Sequence, residues 1–113
     1  MKFEFEKKMH IMSDLVNYCH MLGGNDFKIE MSTKEGIFHC HIYCLVPQLP
    51  DEILDELIRD LSIPRQKEIE QNFWGLSGEL DPETELTLVG MMVDRAEVEY
   101  KDGQLRVHCL RVE

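Results

Sequence analysis

The chain of 113 residues carries a formal net charge of −10, from 22 acidic and 12 basic residues, and 43% of its residues are hydrophobic. This length suffices for one hydrophobic core, so we expect a single domain over residues 1–113. The excess of acids disfavours nucleic acid and anionic membranes as partners, and no apolar run approaches the roughly 20 residues of a membrane span. Residues 1–6 lack the apolar core of a secretory signal, so the expected location is cytoplasmic.

The first half of the chain predicts a helix followed by a β-hairpin. From Phe5 to Leu22, apolar residues recur every three or four positions, which is typical of one face of an α-helix. Strict alternation then predicts a strand from Phe27 to Met31 and a second strand from Ile37 to Val46. The residues from Ser32 to Gly36 are expected to form the turn between them.

The middle of the chain predicts three helices. Their expected starts lie at Pro50, Pro64 and Asp81, where prolines and acids suit the first helical turn. Gly75 and Gly78 are expected to end the second of these helices. In the third, the pattern from Glu85 to Val89 also allows a strand, since a short apolar run has no decisive period.

A second hairpin is predicted at the end of the chain. The strands run from Glu97 to Tyr100 and from Leu105 to Cys109, and Asp102-Gly103 favours a tight turn between them. The element order is therefore α-ββ-α-α-α-ββ. It predicts an α+β fold, a two-layer sandwich with one mainly antiparallel sheet and helices on one face, because each strand has a single apolar face to bury.

The stretch FHCHIYC, residues 38–44, places two histidines and two cysteines within one predicted strand. Alternate side chains of a strand point to opposite faces, so Cys40 and Cys44 are expected in the core while His39 and His41 face outward. Ligands on opposite faces cannot converge on one ion, which disfavours a mixed zinc site. All four cysteines of the chain are therefore predicted to be buried free thiols.

A metal site made of histidines alone remains possible on the outer face. His39 and His41 lie two residues apart on one strand, and His108 also faces outward in the last strand. Three histidines plus a water molecule form a known catalytic zinc arrangement, so a metal-dependent enzyme or sensor is the alternative function. The other interpretation is a polar sheet face with half-exposed histidines, and the sequence leaves both open.

The same outer face also carries candidate partner-binding residues. Tyr43, Leu45 and Leu110 are more apolar than a solvated sheet face requires, and aromatic residues are enriched where proteins meet. A protein partner, or self-association as a homodimer, would use these residues. The alternative is scattered exposed apolar groups, which are common on soluble proteins.

Motifs of catalysis and cofactor binding are missing. The chain contains no GxSxG, no HExxH and no glycine-rich loop of the P-loop or dinucleotide type. We therefore predict no catalytic residues and no cofactor. The favoured interpretation is a small intracellular domain with a regulatory or interaction role, and an enzyme is the less favoured one.

From Ser13 to Val112 the element order resembles the GHKL superfamily, the ATP-binding domains of histidine kinases and their relatives. Within its first helix, Asn17 matches the asparagine of that family's N-box, E-x-x-x-N-A-x-x-H. The run 44–50, CLVPQLP, stands where the family has D-x-G-x-G-I-P, with Cys44 in place of the adenine-binding aspartate. At the G-x-G-L entry to the last helix stands ELTL, residues 85–88. The resemblance implies a degenerate nucleotide site and a docking or regulatory role in signalling.

Overall fold

The computed structural model describes residues 3–74 and 81–113, and it shows an α+β fold. The elements in chain order are α1 Glu4–Met21, β1 Asn25–Lys34, β2 Ile37–Leu45, α2 Asp51–Leu61, α3 Lys67–Phe73, α4 Pro82–Met92, β3 Arg95–Lys101 and β4 Gln104–Val112. The predicted order is thus confirmed, and the segment that also allowed a strand is helix α4. The glycines expected to end the second of the three middle helices, Gly75 and Gly78, lie outside the described residues.

The four strands form one antiparallel sheet in the order β1-β2-β4-β3. The two hairpins join through β2 and β4, which places Cys40 opposite Cys109 and His41 opposite His108. This register keeps all core-facing side chains of both strands on one side, because slipping the pairing by one residue would turn them outward.

The helices pack on one face of the sheet, as the single apolar face of each inner strand predicts. Cys40, Ile42 and Cys44 on β2 are buried, and so are Leu105 and Val107 on β4. Full burial of such a side chain stabilises the fold by about 1.5–3 kcal/mol relative to leaving it exposed. The cysteines are unpaired and buried, in agreement with the sequence-based prediction.

Both hairpins close with two-residue turns, which corrects the longer turn expected from Ser32 to Gly36. Strand β1 continues to Lys34, and only Glu35 and Gly36 form the turn, with φ of 52° and 77°. Two successive positive φ values define a turn whose twist matches that of antiparallel strands, so β1 can stay paired for longer than its apolar alternation indicates.

Helix α4 lies against the end of helix α2. The carboxylate of Asp81 caps α4 by accepting a hydrogen bond from the backbone N–H of Thr84, at 3.0 Å. Where the helices meet, a Cβ atom on Gly90 would stand 2.3 Å from the carbonyl oxygen of Asp60. Glycine at this position therefore permits the close approach. None of the described helices has the length and hydropathy of a membrane span.

Candidate metal centre

The structure brings the three predicted histidines together on the outer face of the sheet. His41 on β2 lies directly opposite His108 on β4, and His39 precedes His41 by two residues on the same face. One ring nitrogen from each histidine lies within 4.8 Å of the others. Among the described residues they form a group of potential metal ligands contributed by two adjacent strands.

The rings of these histidines contact one another directly. His39 Nδ1 and His108 Nε2 are 3.0 Å apart and share one hydrogen bond, in which one nitrogen donates and the other accepts. The ring of His41 stacks on that of His108, with centroids 3.9 Å apart and planes inclined by 10°. At least one nitrogen of the hydrogen-bonded pair must therefore be unprotonated, which is the form that binds metal.

The electrostatic environment favours neutral imidazole. Burial lowers the pKa of His108, and the neighbouring His41 and His39 lower it further, because a second positive charge so close is unfavourable. Glu97 on β3 opposes this shift, with its carboxylate 3.4 Å from Nδ1 of His108. A carboxylate behind a histidine is also the usual partner that orients a metal ligand, and here it leaves Nε2, which faces Nδ1 of His39, as the nitrogen that could bind an ion.

His41 contributes an unsatisfied polar atom to the cluster. Its Nδ1 is buried and has no hydrogen-bond partner among the residues that the structure describes. Leaving a buried polar group without a partner costs about 1–3 kcal/mol, so such groups call for an explanation. A bound ion would supply the missing partner.

The distances fit a small metal ion after modest ring movement. Tetrahedral zinc with Zn–N bonds of about 2.0–2.1 Å places its nitrogen ligands about 3.3 Å apart. The distance of 3.0 Å between Nδ1 of His39 and Nε2 of His108 is close to this value. One nitrogen of each histidine lies within 4.8 Å of the others, so small movements would bring all three to the separation that zinc requires. The stacked rings must turn so that all three nitrogens point at one centre.

The candidate partner-binding residues share this face but are separated along it. Leu45 lies opposite Gln104 at one end of the β2–β4 pair, whereas Leu110 lies opposite His39 towards the other end. Tyr43 stands between them and stacks on His41, with ring centroids 6.2 Å apart. The histidines thus lie between the apolar residues rather than beside a single apolar patch.

A second cluster of charges, which the sequence analysis missed, lies on the opposite face of β4. Arg111 is fully buried and forms paired hydrogen bonds to the carboxylates of Glu70 and Glu4. A signal was present, because the alternation of Leu105, Val107 and Cys109 continues to residue 111 and predicts that its side chain faces the core. No local pattern marks Glu70, on a short helix, as its partner.

The residues aligned with the nucleotide-site motifs of the GHKL superfamily differ from one another in their exposure to solvent. Cys44 and Glu85 are buried, while Asn17 is exposed on α1. Comparison of the chain with protein-family models and with curated proteins gave no match.

Proposed function

We propose that this protein is a small regulatory domain that binds one first-row transition-metal ion through His39, His41 and His108. The proposal is carried by the convergence of one ring nitrogen from each histidine within 4.8 Å. The metal ion would take the place of the proton between Nδ1 of His39 and Nε2 of His108 and would bind both nitrogens. Its third protein ligand would be Nδ1 or Nε2 of His41.

The ligand set indicates which ion is bound. Three imidazoles suit zinc, copper, nickel and iron, whereas calcium and magnesium prefer oxygen ligands. Zinc is the first choice because it accepts four ligands without strong demands on their arrangement. Three protein ligands leave the fourth position for water or for a group from a partner.

A regulatory role fits the location of the site better than catalysis does. The histidines stand on the open face of a sheet, whereas substrates are usually bound in concave pockets. The resemblance to the GHKL superfamily also favours a docking or regulatory domain. Tyr43 next to His41 would then change its environment when metal binds, because the stacked rings must turn.

Calorimetry with zinc tests the proposal, using protein without a histidine tag at pH 7.5. We expect one zinc ion per chain. In His41→Gln the affinity for zinc should fall at least about tenfold, because even the loss of a residue that only hydrogen-bonds to a metal ligand lowers affinity by about 10–100-fold. The matched control is His20→Gln, which changes a histidine exposed on α1. Glu97→Gln should weaken binding less than His41→Gln does.

Two results would contradict the proposal. One is wild-type protein that takes up no zinc, copper or nickel at millimolar concentration. The other is equal affinity in His41→Gln, His108→Gln and wild-type protein. Acid should also weaken binding, because protonated imidazole is not a ligand, and the lowered pKa of His108 delays this loss to pH values below 6.5.

A further inference from the structure

We propose that two copies of this chain associate through strand β1, which pairs antiparallel with β1 of the second copy around Ile29. The result is one continuous sheet of eight strands, four from each copy. This surface differs both from the histidine cluster and from the outer-face residues Tyr43, Leu45 and Leu110, so the inference does not depend on the proposed function.

In the part of the chain that the structure describes, strand β1 is an open edge of the sheet, since it pairs only with β2. The pair Lys34–Ile37 flanks the two-residue turn, and in antiparallel hairpins such a pair exchanges both of its hydrogen bonds. Every second residue from Lys34 back to Lys28 therefore bonds to β2, and the pairing is irregular between Asn25 and Lys28. The backbone groups of Thr33, Met31 and Ile29 point away from β2 and can pair with another strand.

The core-facing side of β1 is left uncovered. Ile29 and Met31 lie opposite Ile42 and Cys40, so they belong to the apolar face of the sheet. They are nevertheless 40% and 42% exposed, because the described helices pack over the other strands. Beside them, Phe5 on α1 is 66% exposed and lines a shallow cavity together with Met31. A second copy paired along β1 would cover this side.

One register of β1 pairs opposite charges and apolar side chains at the same time. With Ile29 opposite its own copy, Lys28 lies opposite Glu30 twice, and Phe27 lies opposite Met31. A register centred on Lys28 or on Glu30 places like charges opposite each other, and one centred on Met31 places Lys28 opposite Lys34. Registers centred on Phe27 or on Ser32 also pair opposite charges, but they place Ile29 opposite Asn25 or Glu35. Cross-strand pairs of opposite charge and of apolar side chains both stabilise a sheet, so Ile29 is the preferred centre.

Local charge also explains why this edge suits a second copy. Each chain carries a net charge of −10, which opposes self-association over most of its surface. Within β1, however, Lys28 and Lys34 balance Asp26 and Glu30. Two copies of this acidic chain can therefore approach each other along β1 without the repulsion that their net negative charge causes elsewhere on the surface.

A charge swap on β1 tests the proposal. Light scattering should give twice the chain mass of 13.3 kDa for wild-type protein at high micromolar concentration. Lys28→Glu alone and Glu30→Lys alone should each weaken the dimer by roughly tenfold or more, because both symmetric pairs become like-charged. The double variant Lys28→Glu/Glu30→Lys should restore dimerisation, while circular dichroism stays unchanged in all three.

The matched control is Leu45→Lys, an exposed residue on the outer face. It should leave the dimer intact. A wild-type protein that is monomeric at high micromolar concentration would overturn the inference. So would a dimer that survives both single charge reversals, or one that dissociates in Leu45→Lys, which would instead place the contact on the outer face.

Discussion

Two clusters of ionisable side chains lie three residues apart on β4, one on each face of the sheet. Arg111 belongs to a cluster with a buried centre, in which cations and carboxylates are equal in number, with members Lys7, Arg65, Arg111, Glu4, Glu70 and the exposed Asp94. His108 belongs to a half-exposed cluster of three like side chains. A cluster whose hydrogen bonds are all satisfied within the protein stabilises the fold, whereas a cluster with an unpaired ring nitrogen offers a site for a ligand.

The hydrogen bonds of Arg111 show how complete the internal pairing is. Its guanidinium has five N–H donors, and these are used by Glu4, Glu70 and the carbonyl oxygen of Met92. Burial would raise the pKa of Glu70, but hydrogen bonds from Arg111 and Lys7 outweigh it and hold this pKa at about 2. Among residues 3–74 and 81–113, no equivalent set of hydrogen-bond partners surrounds His41.

Removing Arg111 should have the largest effect on stability. Arg111→Ala leaves two buried carboxylates without their main partner, and breaking a buried ion pair in this way costs about 3–5 kcal/mol. The control is Arg106→Ala on the same strand, whose contact with Glu99 is exposed and 3.5 Å long and should contribute at most about 1 kcal/mol. Urea unfolding of the two variants measures both. Equal losses of unfolding free energy would show that the buried cluster is not a structural centre.

As the pH falls, the free energy of unfolding should decrease in two separate pH ranges, one for each cluster. The pKa of Glu70 is lowered in the folded state, so its contribution of about 3 kcal/mol is present above pH 4.5 and is lost as the pH falls towards 2. The pKa of His108 is also lowered, so the unfolded chain takes up its proton first and stability declines as the pH falls below 6.5.

Unfolding free energies measured from pH 7.5 to pH 3 would separate these steps. His108→Gln should reduce the loss just below pH 6.5 and leave the acidic step, while Glu70→Gln should do the reverse. A wild-type curve that is flat between pH 7 and pH 5.5 would contradict the assignment to His108.

Replacing His41 should change stability little. His41→Phe keeps an aromatic ring against His108 and Tyr43 and removes the unpartnered Nδ1, so the free energy of unfolding should rise, by about 1 kcal/mol, the low end of the cost of such a group. Thermal unfolding without metal measures this. With zinc added, wild-type protein should gain stability by mass action and His41→Phe should not. A large loss without metal would make the cluster a structural feature like that of Arg111.

The sequence predicted the faces of the strands better than the contacts between them. Alternation alone placed His39 and His41 outward and, with Val107 and Cys109 inward, placed His108 outward too. Their convergence depends on β4 lying beside β2 in a register that puts residue 41 opposite residue 108, and no local pattern encodes that pairing.

The charged core cluster was harder to predict for the same reason. The partners Glu70 and Arg111 are separated by 41 residues in sequence, and the pattern of the short helix α3 did not mark Glu70 as buried. A buried charge is tolerated only where the fold supplies its partner, so its location follows from tertiary structure rather than from periodicity.

A third group of charges lies in a groove between α2 and α4, and it resembles neither of the first two. The acids Glu56, Asp60 and Glu83 line it together with one cation, Arg59. The surplus of carboxylates would repel the phosphates of a nucleotide. Cys44, which stands where the GHKL pattern has its adenine-binding aspartate, is buried in the core and presents no carboxylate.

We therefore expect the smallest effect from ATP. Calorimetry with millimolar ATP and magnesium should show only the heat of dilution, matched by a titration with magnesium chloride at equal ionic strength, and ATP should leave the unfolding temperature unchanged. Zinc in the same buffer without ATP should raise that temperature, because the three histidines offer ring nitrogens to a cation. The groove carries a surplus of negative charge and repels the phosphates of ATP. A micromolar dissociation constant for ATP would mean that the nucleotide site of the resembled family survives without its motifs.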